Sequence, residues 1–222
     1  MMLKYAEETK TWSSSISRKR TLEPIYWLFS QLYSEDDWFL GIGMGEDEIK
    51  FAKKYRLNIV NVEPDVKRAR EIREKYKIEV INHPFYNLPK SYLETFRNFF
   101  SGIFCHNVIQ WIPGYPIGIL ENTYTLLKDG GLVSISFYIK IRRNAPDREY
   151  LIVEDKILDL VIKEIKEYGK GPIRIKLKNR KFKITLPYLY SDRNGKLGLY
   201  ILSKEELEDI RNIIYERVLC SR

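Results

Sequence analysis

Three alternating glycines, Gly41, Gly43 and Gly45, and one carboxylate, Glu63, are the residues whose types and spacing point most directly to chemistry. The apolar run Trp38-Phe39-Leu40 stops at Gly41-Ile42-Gly43-Met44-Gly45, and Glu46-Asp47-Glu48 then opens a stretch with Ile49, Ala52 and Tyr55 at helical spacing. That pattern predicts a strand, a glycine bend and a helix. Glycine suits the bend because it adopts positive φ without strain and because a missing Cβ lets the backbone approach a ligand closely. A ligand there would also meet the free N–H groups of a helix start. Twenty-two residues beyond Gly41, a second apolar run, Ile59-Val60-Asn61-Val62, ends in Glu63. A carboxylate at the tip of a second strand can accept two hydrogen bonds from a ribose diol.

Other reactive types are sparse. His83 and His106 are the only histidines, and neither has a carboxylate partner evident from its sequence neighbours, so no metal site is expected. His106 is the candidate general base, because an unperturbed imidazole titrates at about 6.5. Cys105 and Cys220 are too few for a disulfide framework or a metal cluster, and Cys105 lies in an apolar run that reads as core.

These groups need a scaffold. From Trp38 the hydrophobic pattern predicts strands over 38–42, 58–63, 78–82, 102–107 and 132–139, separated by helices over 45–55, 65–77, near 90–99 and about 116–127. Short, continuously apolar strands are expected where helices cover both faces of a parallel sheet with right-handed crossovers. Ligands of such sheets bind beyond the carboxyl ends of the strands, where the glycine bend, Glu63, Asn82-His83 and Cys105-His106-Asn107 all fall. Upstream, Met1 to Arg20 is a polar arm whose Tyr5 and Trp12 either close over a ligand or pack on the domain edge. A helix over 21–33, capped by Thr21 with Pro24 in its first turn, is expected to cover one sheet edge.

Two cofactor designs share the strand, bend and helix, and glycine spacing separates them. A dinucleotide fingerprint wants its third glycine where this chain has Glu46, a carboxylate that would face a pyrophosphate. The spacing Gly41-x-Gly43-x-Gly45 resembles motif I of the class I S-adenosylmethionine-dependent methyltransferases, whose cofactor has no phosphate. The segment Phe100 to Trp111 is similar to that family's fourth-strand motif, and Leu126-Leu127-Lys128-Asp129-Gly130-Gly131-Leu132-Val133 to its turn into strand five. The matching segments span residues 36 to 139. Departures are Phe39, Pro84 and Ser101, at positions where the family often carries an acid or, in its third-strand segment, an Asp. The Asp/Asn-Pro-Pro-aromatic motif of enzymes that methylate exocyclic amines of bases is missing after strand four, as is a Pro-Cys nucleophile.

The resemblance implies an α/β fold: a Rossmann-like, open, mostly parallel sheet with helices on both faces. It also implies S-adenosylmethionine as cofactor. Gly41, Ile42, Gly43 and Gly45 would hold its methionine part, Glu63 its ribose, and Pro64 with Phe85 the two faces of adenine. Asn82 and His83 at the end of strand three, and Cys105 at the end of strand four, would line the same site. Each has a structural alternative: Glu63 a solvated strand end, Pro64 a turn former, Phe85 core.

Beyond Tyr138 the resemblance fades. A helix is expected over 150–168. Strict alternation then sets Ile173, Ile175 and Leu177 against Arg174, Lys176 and Lys178, and Phe182, Ile184 and Leu186 against Lys181, Lys183 and Thr185. This predicts an antiparallel hairpin, turning at Asn179-Arg180, with one apolar and one basic face. A strand over 197–202 follows, making an antiparallel C-terminal extension, and Ser203 with Glu206 forms a capping box for a terminal helix. The chain reads as one domain: arm and helix over 1–35, cofactor-binding core over 36–139, and C-terminal section over 140–222.

Net charge is +8, and two readings of it stay open. The basic hairpin suits a nucleic acid, whereas a composition rich in Lys, Glu, Ile and Tyr with two Gln is also the bias of hyperthermophile proteins, in which lysine covers the whole surface. No window approaches the ~20 apolar residues of a membrane span, and the start of the chain lacks the apolar core of a signal peptide, so a cytoplasmic protein is expected. Small-molecule and nucleic-acid methyl acceptors both fit this sequence. The competing readings are a nucleic-acid-binding or scaffold protein on a degenerate methyltransferase fold and, third, an NAD-linked oxidoreductase.

Overall fold

The computed structural model describes residues 16–111, 116–146, 155–169, 171–177, 180–191 and 194–219. Tyr5, Trp12, the start of the helix expected at 150 and Asn179 of the expected hairpin turn lie outside them. In chain order the elements are α1 (Ile16–Leu32), β1 (Trp38–Ile42), α2 (Glu46–Lys54), β2 (Asn58–Val62), α3 (Val66–Tyr76), β3 (Glu79–Ile81), α4 (Lys90–Thr95), β4 (Phe100–His106), α5 (Pro116–Leu126), β5 (Leu127–Ile141), α6 (Lys156–Tyr168), β6 (Gly171–Leu177), β7 (Arg180–Leu186), β8 (Tyr188–Ser191), β9 (Gly195–Ser203) and α7 (Lys204–Leu219).

Seven strands form one sheet in the order β3-β2-β1-β4-β5-β9-β8. β3, β2, β1, β4 and β5 run parallel, while β9 is antiparallel to β5 and β8 antiparallel to β9. The chain moves outward from β1 through β2 to β3, then returns to place β4 on the other side of β1. That reversal opens a crevice beyond the carboxyl ends of β1 and β4. β6 and β7 pair only with each other.

The apolar runs of the strands feed two core layers. Leu22, Ile25, Tyr26, Phe29, Phe39, Ile49, Ala52, Ile72 and Phe104 pack in one; Leu40, Ile42, Val62, Ile103, Cys105, Ile135, Val161 and Ile210 pack in the other. Alternate residues of one strand thus serve opposite layers, which is why the buried strands look continuously apolar in sequence. Helix starts are fixed locally: the Asp65 side chain accepts the Arg68 N–H, Asp155 caps α6 through the N–H groups of Ile157 and Leu158, and Ser203 with Glu206 forms the expected reciprocal box.

Two expectations change. α1 begins at Ile16, so Pro24 sits inside the helix rather than in its first turn. An interior proline costs about 3 kcal/mol, and the complete burial of Leu22, Tyr26, Leu28 and Phe29 offsets it. The helix lies across a sheet face and reaches the edge strand β8: Tyr26 stacks on Phe104 with ring centroids 4.5 Å apart, and Phe29 fills the space left by Gly102. Among the C-terminal strands, the 197–202 segment enters the main sheet beside β5, and β8, which the sequence reading lacks, forms its edge.

Candidate functional site

The glycine bend closes over β1 by spending its own amides. Gly43, at φ +60°, donates its N–H to the Val62 carbonyl at 2.9 Å. Met44 donates to Asn61 Oδ1 at 3.2 Å, and Gly45 to Glu48 Oε2 at 3.1 Å. The N–H groups of Gly43, Met44 and Gly45 are therefore committed within the protein. Glycine is needed at two of the three positions for different reasons. A Cβ on Gly41 would lie 1.9 Å from Met44 Sδ, whereas Gly43 needs its positive φ, and its nearest prospective neighbour is Val108 Cγ2 at 3.4 Å. Val108 follows β4, so the bend and the segment after β4 meet face to face.

Glu63 stands on the same rim. It is buried at 5% exposure, its Oε1 accepts the Asp65 N–H at 3.1 Å, and its Oε2 lies 3.1 Å from Arg68 Nε. The Arg68 Nη2 donates to the Met44 carbonyl at 3.0 Å, so one guanidinium touches both the carboxylate and the bend. Burial pushes the Glu63 carboxyl above its ordinary value, and the opposing pull of Arg68 and the Asp65 N–H is smaller. Asn82 donates to the Glu63 and Pro64 carbonyls at 2.8 and 3.1 Å, tying the end of β3 to this corner and leaving its Oδ1 as acceptor. His83 and Pro64 border the same corner, half-buried and exposed respectively.

Beyond β4 and β5 lies a second polar cluster. Asn107 is buried with φ +59°, its N–H donates to the Ser136 carbonyl at 2.9 Å, and its Nδ2 and that of Asn194 lie 3.4 and 3.3 Å from the Tyr138 hydroxyl. Gln110 exchanges hydrogen bonds with the Tyr138 backbone. Among the described residues three buried side-chain atoms have no partner: Asn107 Oδ1 here, Asn61 Nδ2 beneath the bend, and the Tyr76 hydroxyl at the end of α3. Orphaned polar atoms in a folded interior are rare, and the two asparagine atoms lie at the carboxyl-end side of the strands.

Several expected site residues prove to be core. Phe85 is 2% exposed among Leu40, Ile42 and Val62, so its ring has no free face for a base. Cys105 is 1% exposed on the same side of the sheet, and burial first, then the nearby Glu48 carboxylate, push its thiol up to about 12. Ile42 likewise offers only backbone at the rim. His106 has the carboxylate partner that its sequence neighbours do not reveal: Nδ1 lies 2.7 Å from Glu48 Oε1 and Nε2 2.9 Å from Ser134 Oγ, in a fully buried chain that the Tyr26 hydroxyl joins at 3.1 Å. Both ring nitrogens are occupied, so His106 positions Glu48 and, through it, the Gly45 amide, and is not placed to take a proton from an incoming acceptor. Glu46 also differs from expectation. It is 58% exposed on the outer side of α2 with Lys50 and Lys75, and does not face the crevice.

Arg68, Glu48, Asn61 and Tyr138 are the residues around this rim that the sequence did not single out. Arg68 and Glu48 share a legible signal, since each occupies the third position of a helix that starts at the rim. Among the described residues no group of His, Cys, Asp and Glu could hold a metal ion, and no helix is long and apolar enough to cross a membrane.

No protein-family model matches the sequence, and no curated protein does. Solved structures do match. The N-methyltransferase NodS from Bradyrhizobium japonicum, in complex with S-adenosyl-L-homocysteine, superposes with a TM-score of 0.54 at 12% identity over 90% of this chain and 95% of its own. The CurJ carbon methyltransferase superposes with a TM-score of 0.59 at 12% identity over 91% of this chain and 59% of its own. The chain spans less than two thirds of some of these neighbours, 59% of CurJ among them, and nearly the whole of NodS. The fold is therefore the Rossmann-like fold of these methyltransferases, with its mostly parallel sheet and antiparallel C-terminal strands.

Proposed function

We propose that this protein is an S-adenosylmethionine-dependent methyltransferase. The observation that carries the reading is the pairing of a glycine bend, its Gly43, Met44 and Gly45 amides committed within the protein, with a buried carboxylate on the same rim. A dinucleotide needs the amides that Asn61, Glu48 and Val62 occupy, whereas a nucleoside bearing an amino acid needs only close backbone approach and a diol acceptor. Similarity in fold to NodS, whose structure holds S-adenosyl-L-homocysteine, supports the same cofactor.

On this reading the bend, Gly41 to Gly45, lies against the methionine part and Glu63 accepts from the ribose hydroxyls. Asn82 Oδ1, rather than a ring stacked on Phe85, meets the adenine edge, with Pro64 and His83 flanking it. The cofactor supplies a methyl carbon already activated by its sulfonium. What the chain must add is alignment and exclusion of water. Asn107, Tyr138 and Asn194 border the crevice on the side of β4 and β5, and the methyl acceptor is placed against them. Glu48, held by His106 and Tyr26, fixes the bend from beneath.

Isothermal titration calorimetry tests the assignment. The purified chain is expected to release heat with S-adenosyl-L-homocysteine and none with NAD. Binding of NAD would return the oxidoreductase reading. Absence of heat with S-adenosyl-L-homocysteine at millimolar concentration would leave a scaffold on this fold.

A further inference from the structure

The chain's positive charge is concentrated in one element. Residues 171–187 contain six of the 38 Lys and Arg and none of the 30 Asp and Glu, so this stretch accounts for six of the eight net charges and the remaining 32 basic residues nearly balance the 30 acids. A lysine-rich surface adapted to heat would distribute its excess, and this one does not. The stretch is the ribbon β6–β7, which pairs with no other strand.

The register then sorts the charges. Arg174 stands opposite Lys183 and Lys176 opposite Lys181, with Pro172 opposite Thr185. Directly opposed residues of an antiparallel pair share a face, so four cations occupy one face within two steps of the ladder. Ile173, Ile175 and Leu177 share the other with Ile184, Phe182 and Arg180. Like charges set directly opposite each other destabilise a ribbon. The sequence of the ribbon holds no carboxylate to offset them, which suits the face to an anion from outside.

We propose that the basic face of the β6–β7 ribbon docks a DNA duplex through its phosphates. The face carries no aromatic residue, so it lacks the stacking platform by which single strands are held. A two-stranded ribbon, with strands about 4.8 Å apart, fits the B-form major groove of about 12 Å. The deep, narrow major groove of duplex RNA does not admit one. Contacts are mainly to the backbone, so affinity depends strongly on salt and weakly on sequence. The inference does not rest on the methyltransferase reading, because ribbon and crevice share no residue.

Fluorescence anisotropy of the full chain with a labelled random-sequence DNA duplex tests it. Binding is expected at low salt, with log K falling against log salt at a slope of about −3 to −4 for four phosphate contacts. The variant R174Q/K176Q/K181Q/K183Q is expected to lose that binding with an unchanged circular dichroism spectrum and unchanged S-adenosyl-L-homocysteine titration. K176R/K181R/K183R, which keeps every charge, is expected to retain it. The proposal is overturned if the native chain ignores DNA at low salt, if the glutamine variant binds as before, or if duplex RNA or phosphatidylserine vesicles bind as tightly as the DNA.

Discussion

The two ends of the parallel strands are built to opposite specifications. Where β1 and β4 begin, Asp37 accepts from the Ser34 N–H and hydroxyl, from the Ser101 hydroxyl and from Lys128, so every polar group of the cluster has a partner. Where the strands end, Asn61 and Asn107 each keep a side-chain atom without a partner among the described residues, and Glu63 is buried at a carboxyl value raised above the ordinary one. Both carboxylates have a cation beside them. They differ in what else is offered: at Asp37 the hydrogen bonds outweigh burial, and at Glu63 burial wins. An acid whose partners outweigh its burial stabilises a fold, and strongly perturbed acids such as one whose burial outweighs its partners cluster at functional sites.

Substitutions at the two ends should therefore separate. Glu63→Ala is expected to weaken S-adenosyl-L-homocysteine by about 100-fold, the worth of two hydrogen bonds to a charged group, with the melting temperature little changed. Equal affinity by calorimetry would remove Glu63 from the ribose. Asp37→Ala is expected to do the reverse, costing about 2 kcal/mol, a fall of about 4–8 °C in thermal melting, with ligand affinity intact. A loss of affinity there would erase the distinction between the rims. Gly43→Ala should cost about 1 kcal/mol, because an alanine at φ +60° is strained although its methyl has room; a neutral result in urea unfolding would mean the bend relaxes.

Acid sharpens the contrast by its sign. The raised value of Glu63 means that its contribution to stability is present below the unfolded value and fades as pH rises through the folded one. Asp37, held well below the usual carboxylate range by Lys128, Ser101 and Ser34 against its burial, contributes above its unfolded value and loses that contribution as pH falls. Ligand affinity needs the ionised Glu63, so calorimetry should show it declining by a few-fold while pH is still above about 4.5, and Glu63→Gln should flatten that decline. A decline unchanged in the variant would assign it to another group.

The sequence disclosed the rim more completely than the chemistry on it. Glycines at 41, 43 and 45, and Glu63 at the next strand tip, announced the bend and the carboxylate on its rim because both depend on one residue type at one backbone position. Phe85 and Cys105 misled because a residue at a strand end can turn into the crevice or into the core, and periodicity does not say which when both sheet faces are covered. His106 misled for a different reason: its partner Glu48 lies 58 residues away, and only the register of β1 against β4 brings them together. Pro24 looked like a helix start, yet the apolar face of α1 overrode its local preference. The short β8 escaped because an edge strand of four residues, set next to Pro187, has too few positions to show alternation.

One carboxylate, Glu48, answers to the Gly45 amide, the Tyr26 hydroxyl and the His106 ring together. Three segments distant along the chain are thus knotted at a single point beneath the bend. A guest that steadies the bend from above would quieten α1 and the tip of β4 in unison. The first helix of the chain is in this sense a listener to the crevice, although no atom of it needs to touch what the crevice holds.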